Sequence, residues 1–484
     1  MDSPRRHCCD KGMGSSGAKL AIEQIAAFAG QARLEHLPEE VRKLFKRNIL
    51  DSLGCALGAL SGKPFARLRE QFKEFRAGGS STLIGGGATS LDQAALYNTG
   101  LVRYVDLLDS YMSPGGLCHP ADNFGGVLAV AESVGASGSD FMLALAVAYE
   151  IGSRFTAAVP VMGKGFNHAL QLAISLSAAS GKLMGLTAKE IAHAIAIAAV
   201  DNVSLAAVHS EPVSQWKGFS PGITAMRAVY TTALAKRGFT GPLRLFEGPN
   251  GLNRMFGQEI LIDWTDPSLQ MIRHTVMKKY CSLIHGQPVI EAVLALKRQH
   301  NLSADAVALV TCETFQGGFD LAGGGSFGPK EHPTTKEQAD YNLKYLIAVA
   351  LLDDQVGPAQ LDEARVNAPD AQALLAKVNV KPNPRFTQGY PEHLGCRIVI
   401  CTRSGDIYTK DQTGYEGGQD QPLTWQRVVE KFHWLAEPYA DANLRQAIIA
   451  EVEILDEQPI SVLMGLLARV KSAATFRPTL RGLQ

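Results

Sequence analysis

A succession of apolar helical segments is the feature that most constrains how this chain folds. Between about residues 20 and 265, apolar residues recur at helical spacing, and polar residues mark the helix starts. Helices are predicted over 140–151, 168–183 and 191–200, and the last begins with a capping box formed by Thr187 and Glu190. Two of these helices are Ala-rich and apolar on nearly every side, which favours a position at the centre of a helical bundle.

The pattern changes after about residue 268, where short β-rich runs alternate with helices. Residues 307–311 are predicted to form a strand, and residues 397–402 and 407–409 a hairpin. Further helices are expected over 286–299, 338–353, 361–377, 424–436, 441–454 and 459–470. This alternation is typical of a smaller α+β domain inserted into a helical one.

The sequence therefore predicts a mainly α fold, with a large all-helical domain and a smaller α+β lid domain. The expected boundaries are 1–19 for a flexible N-terminal tail, 20–268 and 424–475 for a discontinuous helical domain, and 269–423 for the lid.

Charge and cysteine content exclude several classes of protein. Lys plus Arg (47) equals Asp plus Glu (47), and this balance argues against a nucleic-acid binder. The eight cysteines contain no C-x-x-C pair and predict free thiols in a reducing compartment. Apolar runs shorter than about 18 residues and a polar N-terminus indicate neither a membrane span nor a secretory signal. We expect a cytoplasmic location, or the mitochondrial matrix if the source is eukaryotic.

One stretch of the first half concentrates groups that transfer protons. A helix is predicted to start with a capping box at Ser90 and to place the carboxylates of Asp106 and Asp109 on one face. A Pro-Gly-Gly run at 114–116 would end that helix, and the loop behind it would carry His119. Asp, Asn and Gly are also common turn residues, so ordinary capping and turn chemistry is the alternative interpretation.

Three further histidines and one lysine lie close to predicted helix starts. His168 opens a helix, and a helix N-terminus favours bound anions such as carboxylates. His285 directly precedes another helix, and His209 lies shortly before Lys217. Aromatic neighbours would bury Lys217, lower its pKa and strengthen its hold on an anion. The alternatives are structural histidines and a lysine that extends its amine to solvent.

Glycine-rich residues 323–328 match two catalytic motifs outside their usual context. The run fits both G-x-G-x-x-G and G-x-S-x-G, and both motifs need a strand that leads directly into a helix. Pro329 and Pro333 prevent a helix there, so neither a nucleotide site nor a nucleophilic serine is predicted. The sequence also lacks the common zinc and calcium motifs, and no metal site is expected.

Several segments resemble the MmgE/PrpD family. The first is Asp106-x-x-Asp109-Ser110, followed by His119-Pro120-Ala121-Asp122-Asn123-Phe124-Gly125-Gly126. The similarity continues, in the family's order, through Asn167-His168, Trp216-Lys217-Gly218, Phe246-Glu247-Gly248, Lys279 to His285 and Lys336 to Asp353. That family includes 2-methylcitrate dehydratases, cis-aconitate decarboxylases and an iminodisuccinate epimerase.

The resemblance implies a homodimer that uses neither a metal nor an organic cofactor. It assigns catalysis to Asp106, His119, His168 and Lys217, and substrate binding to Ser110, Asp122, Asn123, Lys279 and His285. In this hypothesis Lys217 and His168 bind carboxylates, while His119 transfers a proton. Asp106 would orient and charge a neighbouring base.

The run from His119 to Gly126 resembles the dehydratase branch of the family more than the decarboxylase branch. The expected activity is therefore dehydration of 2-methylcitrate, or of a related alkylcitrate, to 2-methyl-cis-aconitate by acid and base groups. Decarboxylation of cis-aconitate, epimerisation of a small dicarboxylate and a non-enzymatic helical scaffold are the alternatives. A small di- or tricarboxylate is the expected partner, with no nucleic acid and no membrane.

Overall fold

The computed structural model describes residues 19–76, 78–114 and 116–471, so the predicted N-terminal tail lies almost entirely outside the described residues. Helices account for 57% of the chain and strands for 10%, which confirms the predicted mainly α class. The cysteines within the described residues are free thiols, as the sequence predicts.

One group of helices, here called the helical domain, surrounds the central helices α6 and α7. Its helices are α1 (Ala21–Gln31), α2 (Glu39–Gly58), α3 (Lys63–Glu74), α4 (Leu91–Tyr104), α5 (Phe124–Ser133), α6 (Gly138–Ala158), α7 (Ala169–Leu183), α8 (Ala188–Val200), α9 (Trp216–Ala235) and α10 (Leu252–Phe256). Helix α6 is long and apolar enough to span a bilayer, but 83% of its most apolar window is buried inside the protein. Its composition therefore fits a core helix, packed against α5 and α7.

A second group of elements, here called the lid, contains a four-stranded sheet covered by helices. Its helices are α11 (Gln287–His300), α12 (Gln316–Ala322), α13 (Lys336–Ala339), α14 (Leu343–Asp353), α15 (Glu363–Val366), α16 (Pro369–Leu375) and α17 (Pro384–Gln388). The chain then returns to the helical domain through α18 (Trp425–Ala436), α19 (Ala442–Glu453) and α20 (Ile460–Ala468), with α18 packed on α2.

The described strands form one sheet in the lid and two smaller sheets elsewhere. The described strands are β1 (Ser81–Thr82), β2 (Ala88–Thr89), β3 (Ser110–Ser113), β4 (Gly116–Cys118), β5 (Thr275–Val276), β6 (Val307–Thr314), β7 (Val378–Pro382), β8 (Cys396–Thr402) and β9 (Ile407–Gln412). The lid sheet has the order β7-β6-β8-β9, with β6 and β7 parallel and the other pairs antiparallel. A small sheet β4-β3-β5 pairs Ser110 with Val276 and so joins the proton-transfer stretch to a segment far along the chain.

Most predicted elements are present, with changes where local side chains cap the backbone. The hairpin β8–β9 is confirmed, as is the capping box, in which Thr187 accepts a hydrogen bond from the backbone of Glu190. The helix predicted over 338–353 is divided, because Asn342 is extended and caps a new helix through the backbone N–H of Tyr345. The helix predicted over 361–377 is also two helices, and Pro369 begins the second.

The helix predicted through Asp106 and Asp109 is wrong beyond Tyr104. Helix α4 ends at Tyr104, and Asp106 takes a positive φ of 51°, which a right-handed helix excludes. The two carboxylates therefore do not share a helix face. The predicted capping box is also wrong, because the hydroxyl of Ser90 donates to the carboxylate of Asp92 and caps no backbone N–H.

Helix α5 approaches α4 so closely that Gly125 has no room for a side chain. A Cβ at Gly125 would lie 2.2 Å from the backbone nitrogen of Thr99 and 2.5 Å from the carbonyl carbon of Asn98. Backbone atoms cannot rotate away, so the two helices would have to separate.

We therefore expect Gly125→Ala to lower the free energy of unfolding by roughly 1–3 kcal/mol, the usual cost of overpacking a core. Denaturant unfolding followed by circular dichroism measures this change. Gly465→Ala is the matched control, because a Cβ at this helical glycine meets nothing within 4 Å. Equal stability of the two variants would contradict the close helix contact.

Candidate active site

A cavity of about 340 Å³ lies between the helical domain and the lid, and all four histidines singled out in the sequence line it. His119 and His168 come from the helical domain, His209 from the segment before α9 and His285 from the turn before α11. Lys278 also belongs to the cavity lining, although its amine is bonded to Asp106. Side chains that are far apart in the chain thus converge on one cavity.

A second cavity of about 430 Å³ lies beside the first and shares Pro114 with it. Its described lining includes the carboxylates of Glu392, Asp411 and Asp420 but no lysine or arginine. A carboxylate ligand would be repelled there, so we place the candidate site in the histidine-lined cavity.

Asp106 organises the floor of this site through three cations. Its Oδ1 accepts hydrogen bonds from Arg103 at 2.7 Å and from Lys278 at 2.6 Å, and its Oδ2 accepts one from Lys217 at 3.3 Å. Lys278 also donates to the carbonyl oxygen of Asp106 at 3.1 Å. These bonds hold Asp106 in its left-handed conformation, which costs an L-residue roughly 1–2 kcal/mol.

Lys217 connects Asp106 to a second buried carboxylate. Its amine donates to Asp340 at 2.6 Å, and Lys336 donates to the other oxygen of Asp340 at 2.7 Å. We call the connected buried side chains the Asp106–Asp340 network: Arg103, Asp106, Lys217, Lys278, Lys336 and Asp340. Within its ion pairs, four cations share two carboxylates.

Burial and charge act in opposite directions within the network. Burial alone would raise the pKa of Asp106, but Arg103, Lys278 and Lys217 outweigh it and hold that pKa well below its usual range. Burial lowers the pKa of Lys217 to about 8, although Asp340 and Asp106 favour its charged form. Asp106 is therefore an anion across the physiological pH range, whereas Lys217 titrates just above neutrality.

His119 lies close to the network, and a backbone carbonyl group fixes its tautomer. Its Nδ1 is 2.8 Å from the carbonyl oxygen of Asp109 and 3.1 Å from the hydroxyl of Ser110. A carbonyl oxygen can only accept, so Nδ1 carries the proton and Nε2 keeps the lone pair. Burial, with the charges of Arg103 and Lys278, lowers the pKa of His119 well below 6.5, and the ring is a neutral base.

Asp109 has a structural role, because its carbonyl oxygen holds His119 and its carboxylate joins other segments of the fold. Its carboxylate accepts hydrogen bonds from Asn48 at 3.0 Å, from Tyr149 at 2.8 Å and from the backbone of Ala121 at 3.0 Å. Burial raises its pKa to about 6 despite these bonds. Asp109 thus ties the loop that carries His119 to α2 and α6.

His168 faces His119 at the start of α7. The two rings meet edge to face with their centroids 4.9 Å apart. His168 Nε2 lies 3.2 Å from Asp122 Oδ2, but the angles do not form a hydrogen bond, so both buried groups keep unused bonding capacity. Asn123 is committed to the fold, because its amide accepts from Ser175 and donates to the carbonyl oxygen of Pro120.

His209 and Tyr341 form the side of the cavity next to Lys217. Their rings stack at 5.3 Å with an interplanar angle of 1°, and the amine of Lys217 lies 3.8 Å from the centroid of Tyr341. The amide of Asn167 holds His209 Nε2 at 2.9 Å, while its oxygen caps α7 through the backbone of Ala169. Lys217 itself is not among the cavity-lining residues.

His285 is the least constrained of the four histidines. It is 9% exposed, and neither ring nitrogen has a hydrogen-bond partner among the described residues. Burial lowers its pKa to about 4, so the ring is neutral. Its edge contacts Phe315 and Tyr390, which lie on the lid.

Lys279, the lysine selected from the sequence, points elsewhere. Its amine donates to Glu416 at 2.7 Å, and its neighbour Lys278 lines the cavity instead. The sequence reasoning also missed Arg103, Asp340 and Tyr341. Arg103 is three residues before Asp106, and the other two lie in the segment Lys336 to Asp353 that carried the family resemblance.

Among the described residues, no group of three or more His, Cys, Asp or Glu side chains is arranged to hold a metal ion. The polar residues that line the cavity are the four histidines, Lys278, Tyr341, Tyr390, Ser326 and Asp320. Imidazoles are suited to proton transfer, and ammonium and hydroxyl groups to binding anions.

Two protein-family models match this chain, one in each half. The MmgE/PrpD N-terminal domain model matches residues 23–264, and the MmgE/PrpD C-terminal domain model matches residues 280–457. A 2-methylcitrate dehydratase of Escherichia coli (strain K12) is 26% identical over 71% of this chain and 74% of its own. One of Cupriavidus necator is 25% identical over 87% of this chain and 91% of its own.

Relatives named for a different reaction have a similar sequence identity to this chain. The cis-aconitate decarboxylase of Mus musculus is 24% identical over 93% of this chain and 93% of its own. The names of these relatives therefore differ in the reaction, whereas the two domain models together span most of the sequence. On that coverage, the chain belongs to the MmgE/PrpD family.

Proposed function

We propose that this protein is a lyase that removes water from an alkylcitrate such as 2-methylcitrate, forming 2-methyl-cis-aconitate. The carrying observation is that four imidazoles line one cavity, and that Lys278 joins this lining to a network in which four cations share two carboxylates. Relatives named 2-methylcitrate dehydratase support the reaction class.

The electrostatics of the network favour an anionic substrate. Buried cations that outnumber their ion-paired carboxylates are costly unless an anion balances them. Asp122 and Glu337 also act on Arg103 and Lys336, but no ion pair joins these partners within the described residues. Lys278, which lines the cavity, takes the carboxylate-binding role that the sequence assigned to Lys217.

His119 is the proposed general base. Dehydration removes a proton from the carbon beside a carboxylate, and Nε2 of the neutral ring has the lone pair for this step. As the carbon–hydrogen bond breaks, the adjacent carboxylate gains enolate character. Lys278 and the network behind it stabilise that developing charge, as fixed cations do in a water-poor site.

His168 is the proposed general acid, a role that differs from the carboxylate binding expected from the sequence. The carbon–oxygen bond breaks as the double bond forms, and the hydroxyl takes a proton from His168 and leaves as water. Asp122 Oδ2 lies 3.2 Å from Nε2 of this ring. The proton that His119 gains then balances the one that His168 gives.

Decarboxylation of cis-aconitate is the second candidate, because relatives with that name align over more than nine tenths of this chain. It requires similar carboxylate binding but releases carbon dioxide. The identity of the product therefore separates the two reactions.

The first test incubates the purified protein with citrate, 2-methylcitrate and cis-aconitate. We expect 2-methylcitrate to lose one water, seen as ultraviolet absorbance of a new conjugated double bond and as the product mass. Release of carbon dioxide from cis-aconitate, with 2-methylcitrate unchanged, would favour the decarboxylase instead. Solvent deuterium in recovered substrate without loss of water would indicate an epimerase.

Replacing the proposed base gives a second test. His119→Gln is expected to reduce turnover of 2-methylcitrate by about 10²–10⁴-fold, the usual contribution of a positioned general base. His393→Gln, at an exposed histidine of the lid, is the matched control and should retain full turnover. If His119→Gln turned over every tricarboxylate at the wild-type rate, the base assignment would be wrong.

The pH dependence should report Lys217. Its lowered pKa of about 8 means that the ammonium loses its proton above that pH, leaving Asp106 and Asp340 less compensated and the site less attractive to anions. We expect kcat/KM to fall above about pH 8. Lys217→Arg should move that fall to higher pH, since a guanidinium stays charged.

The matched control for this profile is Lys189→Arg at an exposed lysine, which should leave the pH dependence unchanged. Circular dichroism at each pH separates loss of activity from unfolding. An alkaline limb that stays in place in Lys217→Arg, with the fold intact, would contradict the assignment.

A further inference from the structure

The lid contributes an apolar surface to the cavity, beside its own polar lining residues His285, Asp320, Ser326 and Tyr341. The side chains of that surface are Leu283, Ile284, Phe315, Leu321, Phe327 and Tyr390, and we call them the apolar wall. The first two precede α11, Leu321 belongs to α12, and Tyr390 follows α17. The wall is therefore assembled from separate lid segments around one space.

The centre of the apolar wall is a fixed aromatic pair. Phe315 and Tyr390 stack with centroids 4.7 Å apart and an interplanar angle of 16°. His285 meets Phe315 edge to face at 4.9 Å, which places a neutral imidazole at the boundary between the apolar wall and the proton-transfer groups.

A carboxylate has no partner on this side. No lysine or arginine belongs to the apolar wall, and Asp320, a lid residue that also lines the cavity, would repel an anion. Asp320 is already held by the amide of Gln316 at 3.0 Å and the backbone of Ser326 at 3.3 Å. An apolar group gains free energy when it leaves water and binds here, whereas a buried charged group would have no partner of opposite charge.

We propose that the apolar wall binds a hydrophobic substituent on the citrate backbone that is larger than the methyl group of 2-methylcitrate. This inference rests on the proposed dehydration and defines its substrate class as 2-alkylcitrates with an extended chain. The carboxylates lie towards Lys278 and His119, and the chain extends past His285 onto Phe315 and Tyr390. The bonds broken and formed are those of the same dehydration.

A series of 2-alkylcitrates tests the proposal on the unmodified protein. We compare kcat/KM for the methyl, ethyl and propyl compounds. Burial of each added methylene is worth about 0.8 kcal/mol, so kcat/KM should rise about 4-fold per methylene. From methyl to propyl the expected gain is about 15-fold by the same constant.

A substitution that fills the cavity supplies the second arm. Leu321→Phe places a larger ring on the apolar wall and should reverse the preference, lowering kcat/KM for the propyl compound by at least about 10-fold. The methyl compound should change far less. Leu309→Phe makes the same substitution at a half-exposed position of the lid strand β6, outside the cavity, and should keep the wild-type order.

The outcomes separate the two proposals. Dehydration of 2-methylcitrate with kcat/KM flat or falling along the series would overturn the apolar-wall inference and leave the proposed function standing. No dehydration of any alkylcitrate would overturn both. If Leu321→Phe fails to fold, the wild-type series alone decides.

Discussion

The carboxylate of Asp106, held by three cations, is the interaction on which the rest of this site depends. Arg103 lies in the last turn of α4, Lys217 lies in the first turn of α9, and Lys278 follows β5 from a distant part of the chain. One buried anion therefore fixes three segments relative to each other. Removing it would leave three buried cations around an empty position, a loss that typically costs 3–5 kcal/mol when a buried pair is broken.

A second set of interactions, which begins with the pairing of two strands, positions the imidazole of His119 near Asp106. Strand β3 pairs with β5, so the segment that carries Lys278 runs beside the segment that carries Asp109. Asp109 then fixes the next loop through the backbone of Ala121, and its own carbonyl oxygen sets the tautomer of His119. The two aspartates thus have different roles: Asp106 binds the three cations, whereas Asp109 positions His119.

Sequence periodicity was sufficient to predict helices that bury an apolar face, such as α7 and α8, because that pattern is local. It failed at Asp106, where apolar spacing continued but ion pairs with Lys217 and Lys278 imposed a left-handed turn. It could not separate Lys278 from Lys279 either. The amine of Lys278 is held by Asp106 and that of Lys279 by Glu416, and both partners are distant in sequence, so no local pattern distinguishes the two lysines.

The cations and the neutral imidazoles are parts of one electrostatic design. In the proposed function Arg103 and Lys278 attract an anionic substrate, and the same charges help to lower the pKa of His119, so its ring is unprotonated before substrate arrives. A bound carboxylate would offset those cations and make the imidazole more basic at the moment it must accept a proton. In the proposed mechanism, substrate binding and activation of His119 are thereby coupled through charge.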